Sequence, residues 1–120
     1  ARFLAANDDA TYPTPAGLIP GGGSIVAAIA YATRRVPEVA GKPHAPMAGL
    51  IHDLAGGPGE AGVMVGDRPE TDGAFAVTLG YKFGLVFSGV TRPGDLPVEP
   101  PPDVVAADLA ALVEAQVAPQ

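Results

Sequence analysis

Three charged side chains, Lys42, Asp67 and Asp72, are of the types that together bind a metal ion and a phosphate group. Lys42 follows a predicted strand at 36–41, and Asp67 directly follows another at 62–66, with Asp72 in the next turn. Ligands of parallel α/β sheets bind at the carboxyl ends of the strands. Mg²⁺ prefers oxygen ligands and is usually held by one or two carboxylates and a substrate phosphate, whose charge a nearby lysine would neutralise. The combination predicts phosphoryl chemistry, although an Asp after a strand is often only a turn residue and a single Lys is more often solvated.

The other polar motifs are weaker candidates for a binding or catalytic site. The segment Gly21-Gly22-Gly23-Ser24 precedes a predicted helix and could bind phosphate. It lacks the endings and spacings of known nucleotide-binding loops, so a tight turn with a Ser cap is favoured. His44 and His52 have a helix start between them, which argues against a shared metal site, and His52 is expected to be solvated. Ser88 has no His and Asp partners at a recognisable spacing, so a hydrolase triad is not supported.

The elements that must position these residues alternate between strands and helices. Short apolar runs predict the strands, and apolar residues at i, i+3, i+4 and i+7 predict the helices. This alternation is typical of βαβ units, so the sequence predicts an α/β fold with a parallel sheet and flanking helices. The predicted strands lie at 3–6, 36–41, 62–66, 83–88 and 103–106, the helices at 24–35, from Met47 to Gly56, at 70–79 and after Asp108, and the loops at 10–23 and 93–102.

The clearest helix carries Met47, Leu50, Ile51 and Leu54 on one face and ends at Gly56.

Composition excludes several classes of function. The 120 residues contain 16 Gly, 14 Pro and no Cys, which excludes disulfides, thiolate metal sites and a thiol nucleophile. The net charge of −6, with only seven Lys plus Arg, provides no basic surface for nucleic acid or an anionic membrane. No apolar run approaches the roughly 20 residues of a membrane span. We therefore expect a soluble, cytoplasmic protein with neither nucleic acid nor membrane as a partner.

The chain begins at Ala1, without a Met, and almost immediately enters a predicted strand. We expect it to be the C-terminal part of a longer protein.

Five motifs occur in an order that resembles a known family. They are Asn7-Asp8-Asp9-Ala10-Thr11-Tyr12-Pro13, Gly17-Leu18-Ile19-Pro20-Gly21-Gly22-Gly23-Ser24, Val39-Ala40-Gly41-Lys42-Pro43, Val63-Met64-Val65-Gly66-Asp67-Arg68 with Thr71-Asp72, and Ser88-Gly89-Val90-Thr91. The order resembles the second half of a haloacid dehalogenase (HAD) superfamily phosphatase of the C2-capped type IIA. That subgroup includes NagD-like, p-nitrophenyl, phosphoglycolate and glycerol-3-phosphate phosphatases. The resemblance covers nearly the whole chain.

The resemblance implies a fold and a function. Residues 1–38 would be the end of a C2-type cap domain, and 39–120 the C-terminal half of a Rossmann-like HAD core. The whole enzyme would be a Mg²⁺-dependent phosphate monoester hydrolase that acts on a small phosphorylated metabolite. Lys42 would match the catalytic motif III lysine. Asp67 would match the motif IV aspartate that helps to hold Mg²⁺, and Asp72 would be the supporting acid of the same metal motif.

Asn7 and Asp9 would match the end of a cap strand, and we expect them to contribute to substrate binding. The sequence departs from the family pattern at Ala6, where Thr is common, at His44, where Ser is common, and at Gly73, where an apolar residue is common.

The attacking group of the family is missing. Its phosphatases use the first Asp of a DxD pair as nucleophile and the second as acid and base. No two aspartates of this chain have that spacing; they stand at 8, 9, 53, 67, 72, 95, 103 and 108. We therefore expect the chain alone to be inactive, and its partner to be the N-terminal half of the same enzyme or a second copy.

Two alternatives remain from other classes. A non-catalytic, truncated HAD-like module would self-associate as a homo-oligomer or bind a small anion, because half a sheet exposes an unpaired edge and an uncovered apolar face. A receiver-like domain with Asp67 as phosphoacceptor fits less well, because receivers need an acidic pair near their start and Asp8-Asp9 precede a loop-rich segment.

Overall fold

The computed structural model describes residues 1–57 and 62–117. Strands and helices alternate along these residues in a mixed α/β arrangement, as the sequence predicts. The strands are β1 (Leu4–Ala5), β2 (Thr11–Thr14), β3 (Gly17–Pro20), β4 (Glu38–Val39), β5 (Val63–Gly66), β6 (Lys82–Val86) and β7 (Val104–Ala106). The α-helices are α1 (Gly22–Thr33), α2 (Ala45–Ala55), α3 (Ala74–Leu79) and α4 (Leu109–Val117). A π-helical turn, Pro69–Gly73, leads into α3, and a 3₁₀ turn spans Pro93–Asp95.

Strands β5, β6 and β7 form a parallel sheet with β6 in the centre. The central strand is buried from Phe83 to Val86 and reads as a continuous apolar run, which is typical of parallel sheets covered on both faces. Val63 pairs with Lys82 and Gly66 with Leu85, so β5 and β6 run in register up to the residue before Asp67. The sheet therefore delivers Asp67 to its carboxyl edge.

Helix α3 is buried on two sides and links the two parts of the core. Phe75 and Leu79 pack against Ala48 of α2, whereas Ala76 packs against Phe83 and Leu85 of β6. The small side chains of Ala48 and Ala76 allow this close approach. Packing at both faces holds the π-helical turn before α3 in place, and that turn carries Asp72.

The apolar face of α2 is buried only in part. Met47 and Ile51 do pack against the core, but Leu50 is 52% exposed and Leu54 77% exposed. The face that meets α3 is centred on Ala48 instead, which is buried. Both faces of this helix are apolar, so periodicity alone could not determine which of them meets a neighbouring element.

His52 also differs from its prediction, because it is half-buried rather than solvated. Its Nε2 lies 3.0 Å from the carbonyl oxygen of Leu79, and its ring meets Tyr81 edge to face at 6.1 Å between centroids. The imidazole thus joins α2 to the end of α3.

The loop predicted at 10–23 is a β-hairpin followed by the start of α1. Strands β2 and β3 pair antiparallel, Thr11 with Pro20 and Thr14 with Gly17. Pro13 and Pro20 argued against strands, but both strands of a two-stranded ribbon are edges, where proline is tolerated. The Thr14 hydroxyl closes the turn by donating to the Gly17 carbonyl at 2.7 Å, and Gly17 has a positive φ of 121°.

The glycines at the start of α1 make close backbone contacts. The amides of Gly21 and Gly23 donate to the carbonyl oxygens of Ala10 and Asp9, each at 2.9 Å. A Cβ at Gly21 would overlap the carbonyl oxygen of Asp9. The Ser24 hydroxyl donates to the Gly21 carbonyl at 2.6 Å. Helix α1 buries none of its own residues.

Strands β1 and β4 pair in parallel, so the residues that follow each strand lie at the same end of this two-stranded sheet. Leu4 pairs with Glu38 and Ala5 with Val39, and the Ala40 amide donates to the Ala5 carbonyl at 2.9 Å. This pairing brings Asn7 next to Gly41, so that Asn7 and Lys42 line the same cavity. Among residues 1–57 and 62–117, no helix combines the length and hydropathy that crossing a membrane requires.

Candidate functional site

Lys42 and Asp72 form an ion pair between two elements that are distant in sequence. The Lys42 Nζ lies 2.6 Å from Oδ1 of Asp72. The Lys42 side chain is 45% exposed, whereas that of Asp72 is only 7% exposed. Lys42 comes after β4 and Asp72 lies in the π-helical turn after β5, so the pair ties the two strand ends together.

The second oxygen of Asp72 is engaged by the backbone. Its Oδ2 accepts the amide hydrogens of Asp67 and Arg68, both at 3.1 Å. Gly66 leaves the space for this, because a Cβ there would overlap the Asp72 carboxylate. Both oxygens of Asp72 therefore already have donors. The direct metal-binding role expected of Asp72 stays a prediction, and its contacts favour a supporting one.

Asp67 has a different environment. Its Oδ2 accepts the amide hydrogen of Val90 at 2.6 Å, and its carbonyl oxygen accepts the Thr91 hydroxyl at 2.6 Å. No residue in the described part of the chain donates a hydrogen bond to Oδ1. Asp67 is thus the carboxylate of this pair with an oxygen available for a ligand.

The predicted site residues line one cavity of about 720 Å³. Its polar lining includes Asn7, Asp9, Lys42, Asp67 and Asp72. Met47, Ile51, Met64 and Phe75 form an apolar wall. The structure therefore brings together residues that are up to 65 positions apart (72 minus 7), whereas their individual roles stay predictions.

The arrangement fits part of a magnesium site. Within residues 1–57 and 62–117, no group of three His, Asp or Glu side chains is placed to hold a metal ion. Mg²⁺ does not need such a group, because it keeps several waters and is commonly held by one or two carboxylates plus substrate phosphate. Oδ1 of Asp67 can supply one such ligand, and Lys42 lines the same cavity.

Sequence reasoning assigned no role to the Gly89–Thr91 segment or to Arg68. The segment was recognised as a family motif without a role, yet it supplies the donors to Asp67. Arg68 is half-buried and also lines the cavity. Thr91 is buried in the structure. In the sequence, its only signal is that it is a polar residue shortly after a predicted strand.

A smaller cavity of about 340 Å³ lies beside the first and is lined by Asp8, Pro43, His44 and Glu70, among others. The Nε2 of His44 is 3.0 Å from Oδ2 of Asp8. The His that replaces the family's common Ser therefore links the Lys42 loop to the segment after β1.

Comparison with known proteins agrees with the motifs. Residues 39–112 match the family model described as HAD-hydrolase-like. Over 115 residues the chain is 41% identical to the D-glycerol 3-phosphate phosphatase of Mycobacterium tuberculosis, a match that covers 93% of this chain and 32% of that enzyme. The chain spans about a third of the length of the first curated relatives it matches.

Solved structures show the same likeness. The 4-nitrophenylphosphatase of Thermotoga maritima superposes with a TM-score of 0.84 at 37% identity, over 94% of this chain and 44% of that one. The glycerol phosphate phosphatase of M. tuberculosis in complex with magnesium superposes with a TM-score of 0.77 at 40% identity, over 93% of this chain and 34% of that one.

With more than half of its residues matched, the chain belongs to the family of HAD-like hydrolases. Its relatives include glycerol-3-phosphate and 4-nitrophenyl phosphatases, of the NagD-like type. The resemblance to such a phosphatase that the motifs predict is confirmed.

Proposed function

We propose that this chain is the C-terminal portion of a Mg²⁺-dependent phosphatase and provides its lysine and metal carboxylate. The observation that carries the proposal is the cavity in which Lys42 and Asp67 stand together, tied through Asp72. The attacking carboxylate comes from outside these 120 residues, because the chain has no DxD pair. Residues 1–38 form the end of the cap and 39–120 the returning half of the core.

Each residue has a defined part in the chemistry. The Lys42 ammonium neutralises charge on the bound phosphoryl group, and Asp72 holds that ammonium from a buried position. Asp67 offers Oδ1 to the metal and keeps Oδ2 on the Val90 amide. When bound, Mg²⁺ supplies electrostatic stabilisation to the phosphoryl oxygens. Asn7 and Asp9, which line the same cavity, contact the rest of the substrate.

The exposed edge of β5 favours a partner segment that carries the nucleophile. Among the described residues β5 pairs only with β6, and Val63 on it is 43% exposed. Leu50 and Leu54 of α2 add apolar surface that is also uncovered. A strand added in parallel to this edge would end beside Asp67, because parallel strands share their carboxyl edge. The partner is the N-terminal half of the same enzyme or a second copy.

The substrate is a small phosphorylated metabolite. A cavity of about 720 Å³ accommodates a molecule of that size. Relatives named for D-glycerol 3-phosphate and 4-nitrophenyl phosphate support a compact phosphate ester.

A binding experiment tests the half-site directly. The 120-residue chain, labelled with ¹⁵N, is titrated with inorganic phosphate in the presence of Mg²⁺, and amide shifts are followed. We expect shifts at Lys42, Asp67 and Val90, at least ten-fold weaker affinity in Lys42→Ala, and unchanged affinity in Lys82→Ala. Lys82 is the matched control because it is the other lysine of the sequence and is exposed. Equal effects of the two substitutions would refute the site.

An activity assay tests the missing nucleophile. With 4-nitrophenyl phosphate and Mg²⁺, the chain alone should show no turnover above the background. Turnover that Asp67→Ala abolishes would show that a nucleophile is present within the 120 residues.

A non-catalytic module that self-associates is the second candidate. Helix α1 favours it, because Ile25, Ile29 and Tyr31 are all exposed on one short element. Light scattering distinguishes the two candidates when it is combined with the phosphate titration. Dimers that bind no phosphate support the module, and monomers that bind phosphate with Mg²⁺ support the phosphatase half.

A further inference from the structure

We propose that the Gly89–Thr91 turn, which follows β6, is the positioning element that aims Asp67 at the metal ion. The inference rests on the proposed function, since it concerns how the metal carboxylate of that site is oriented. Nothing in the family motif itself assigns a role to these three residues. Their contacts with Asp67 provide one.

The turn holds both the main chain and the side chain of Asp67. The Val90 amide donates to Oδ2 at 2.6 Å. The carbonyl oxygen of Asp67 accepts the Thr91 hydroxyl at 2.6 Å and the Thr91 amide at 3.3 Å. A carboxylate is free to turn about its own bonds unless a donor selects one oxygen. Here the bond to Oδ2 makes Oδ1 the oxygen that remains available.

Gly89 is required for space. A Cβ at this position would overlap Oδ2 and Cγ of Asp67, far inside the range of real contacts. Gly89 does not have a positive φ, so an added methyl group would act through this overlap rather than through backbone strain. Any larger residue must push the carboxylate away from the Val90 amide.

Thr91 is the anchor of the turn. It is only 7% exposed, and its hydroxyl has the Asp67 carbonyl as acceptor. Replacement by Val keeps the shape but removes this donor. The carbonyl then retains only the longer bond from the Thr91 amide. Serine restores the hydroxyl.

Loss of an outer partner of a metal ligand typically lowers metal affinity 10- to 100-fold. We expect a loss of about that size, ~10-fold or more, in Gly89→Ala and in Thr91→Val. Thr91→Ser should retain affinity within about two-fold of the natural chain, because the donor to the carbonyl is restored. Gly94→Ala is the matched control, since no atom lies within 4 Å of a Cβ built there.

The experiment measures binding of Mn²⁺, used as a paramagnetic substitute for Mg²⁺, to the ¹⁵N-labelled 120-residue chain. Broadening of the Asp67 and Val90 amide signals reports affinity, and competition with Mg²⁺ tests whether both ions share the site. The Val90 amide proton shift without metal reports its hydrogen bond to Asp67. A parallel thermal melt separates positioning from stability. If Gly89→Ala does not fold, the Thr91→Val and Thr91→Ser pair decides.

The outcomes separate two failures. No selective broadening near Asp67 in the natural chain would refute the proposed function, and the inference with it. Selective broadening with equal affinity in Thr91→Val and the natural chain would refute the inference alone. A loss in Thr91→Val that Thr91→Ser restores, with Gly94→Ala unchanged, supports it.

Discussion

Replacing Asp72 should destabilise the chain by an amount that depends on which of its bonds survive. The carboxylate accepts from Lys42 through Oδ1 and from the amides of Asp67 and Arg68 through Oδ2. Asp72→Ala removes all three acceptor contacts. Asp72→Asn keeps the shape and one carbonyl oxygen for the two amides, but places an NH₂ group against the Lys42 ammonium.

The expected size follows from burial. An unsatisfied backbone amide costs about 1–3 kcal/mol, and the lower half of that range applies because both amides are only partly buried. Two amides therefore cost about 2–4 kcal/mol. Lys42 is nearly half exposed and can be solvated, so its lost ion pair adds no more than ~1 kcal/mol. We expect about 2–5 kcal/mol for Asp72→Ala and about 1–2 kcal/mol for Asp72→Asn.

Urea unfolding followed by circular dichroism measures both losses. Asp53→Asn is the control, because it removes the same charge from an exposed position of α2. It should change the free energy of unfolding by less than about 0.5 kcal/mol. If Asp72→Ala costs no more than the control, Asp72 does not tie the two strand ends together in solution, and the reasoning on the site is refuted.

Two further predictions use the same unfolding measurement. Gly66→Ala should destabilise by about 1–3 kcal/mol, because its methyl group would overlap the Asp72 carboxylate. Gly49→Ala, at an open position of α2, should be neutral or stabilise by up to about 1 kcal/mol. If Gly49→Ala destabilised the chain more than Gly66→Ala, that result would contradict the packing described for Gly66. Truncating the exposed Leu54 to Ala should lower the free energy of unfolding by less than about 1 kcal/mol, whereas truncating the buried Phe75 to Ala should lower it by about 3–5 kcal/mol. A cost for Leu54→Ala as large as that of Phe75→Ala would mean that this exposed face of α2 is covered in solution.

Much of the secondary structure could be predicted from local sequence. The strand at β5 is bounded by glycines and continuously apolar, and its position was predicted to within a residue. The hairpin of β2 and β3 was missed because its prolines and glycines are ordinarily loop residues. Only the pairing of the two segments with each other makes them strands, and pairing is not a local property.

The buried face of α2 likewise could not be predicted from local sequence. Periodicity identified the helix, but the helix has apolar residues on more than one face. The face that became buried is the one with the small Ala48, because Phe75 and Leu79 of α3 need that space. The size of a side chain such as Ala48 can be used to predict the buried face only once the neighbouring helix is known.

The sequence by itself determined the order of elements outside the β2–β3 hairpin, the family and the candidates Lys42, Asp67 and Asp72, since motifs and apolar runs are readable from neighbouring residues. Tertiary structure alone decided what each carboxylate can do. Oδ1 of Asp72 accepts a hydrogen bond from a lysine 30 residues away, whereas Oδ2 of Asp67 accepts one from a backbone amide 23 residues away. The physical reason is that a carboxylate's availability depends on the donors that surround it, and Lys42 and Val90 come from segments that are distant in sequence.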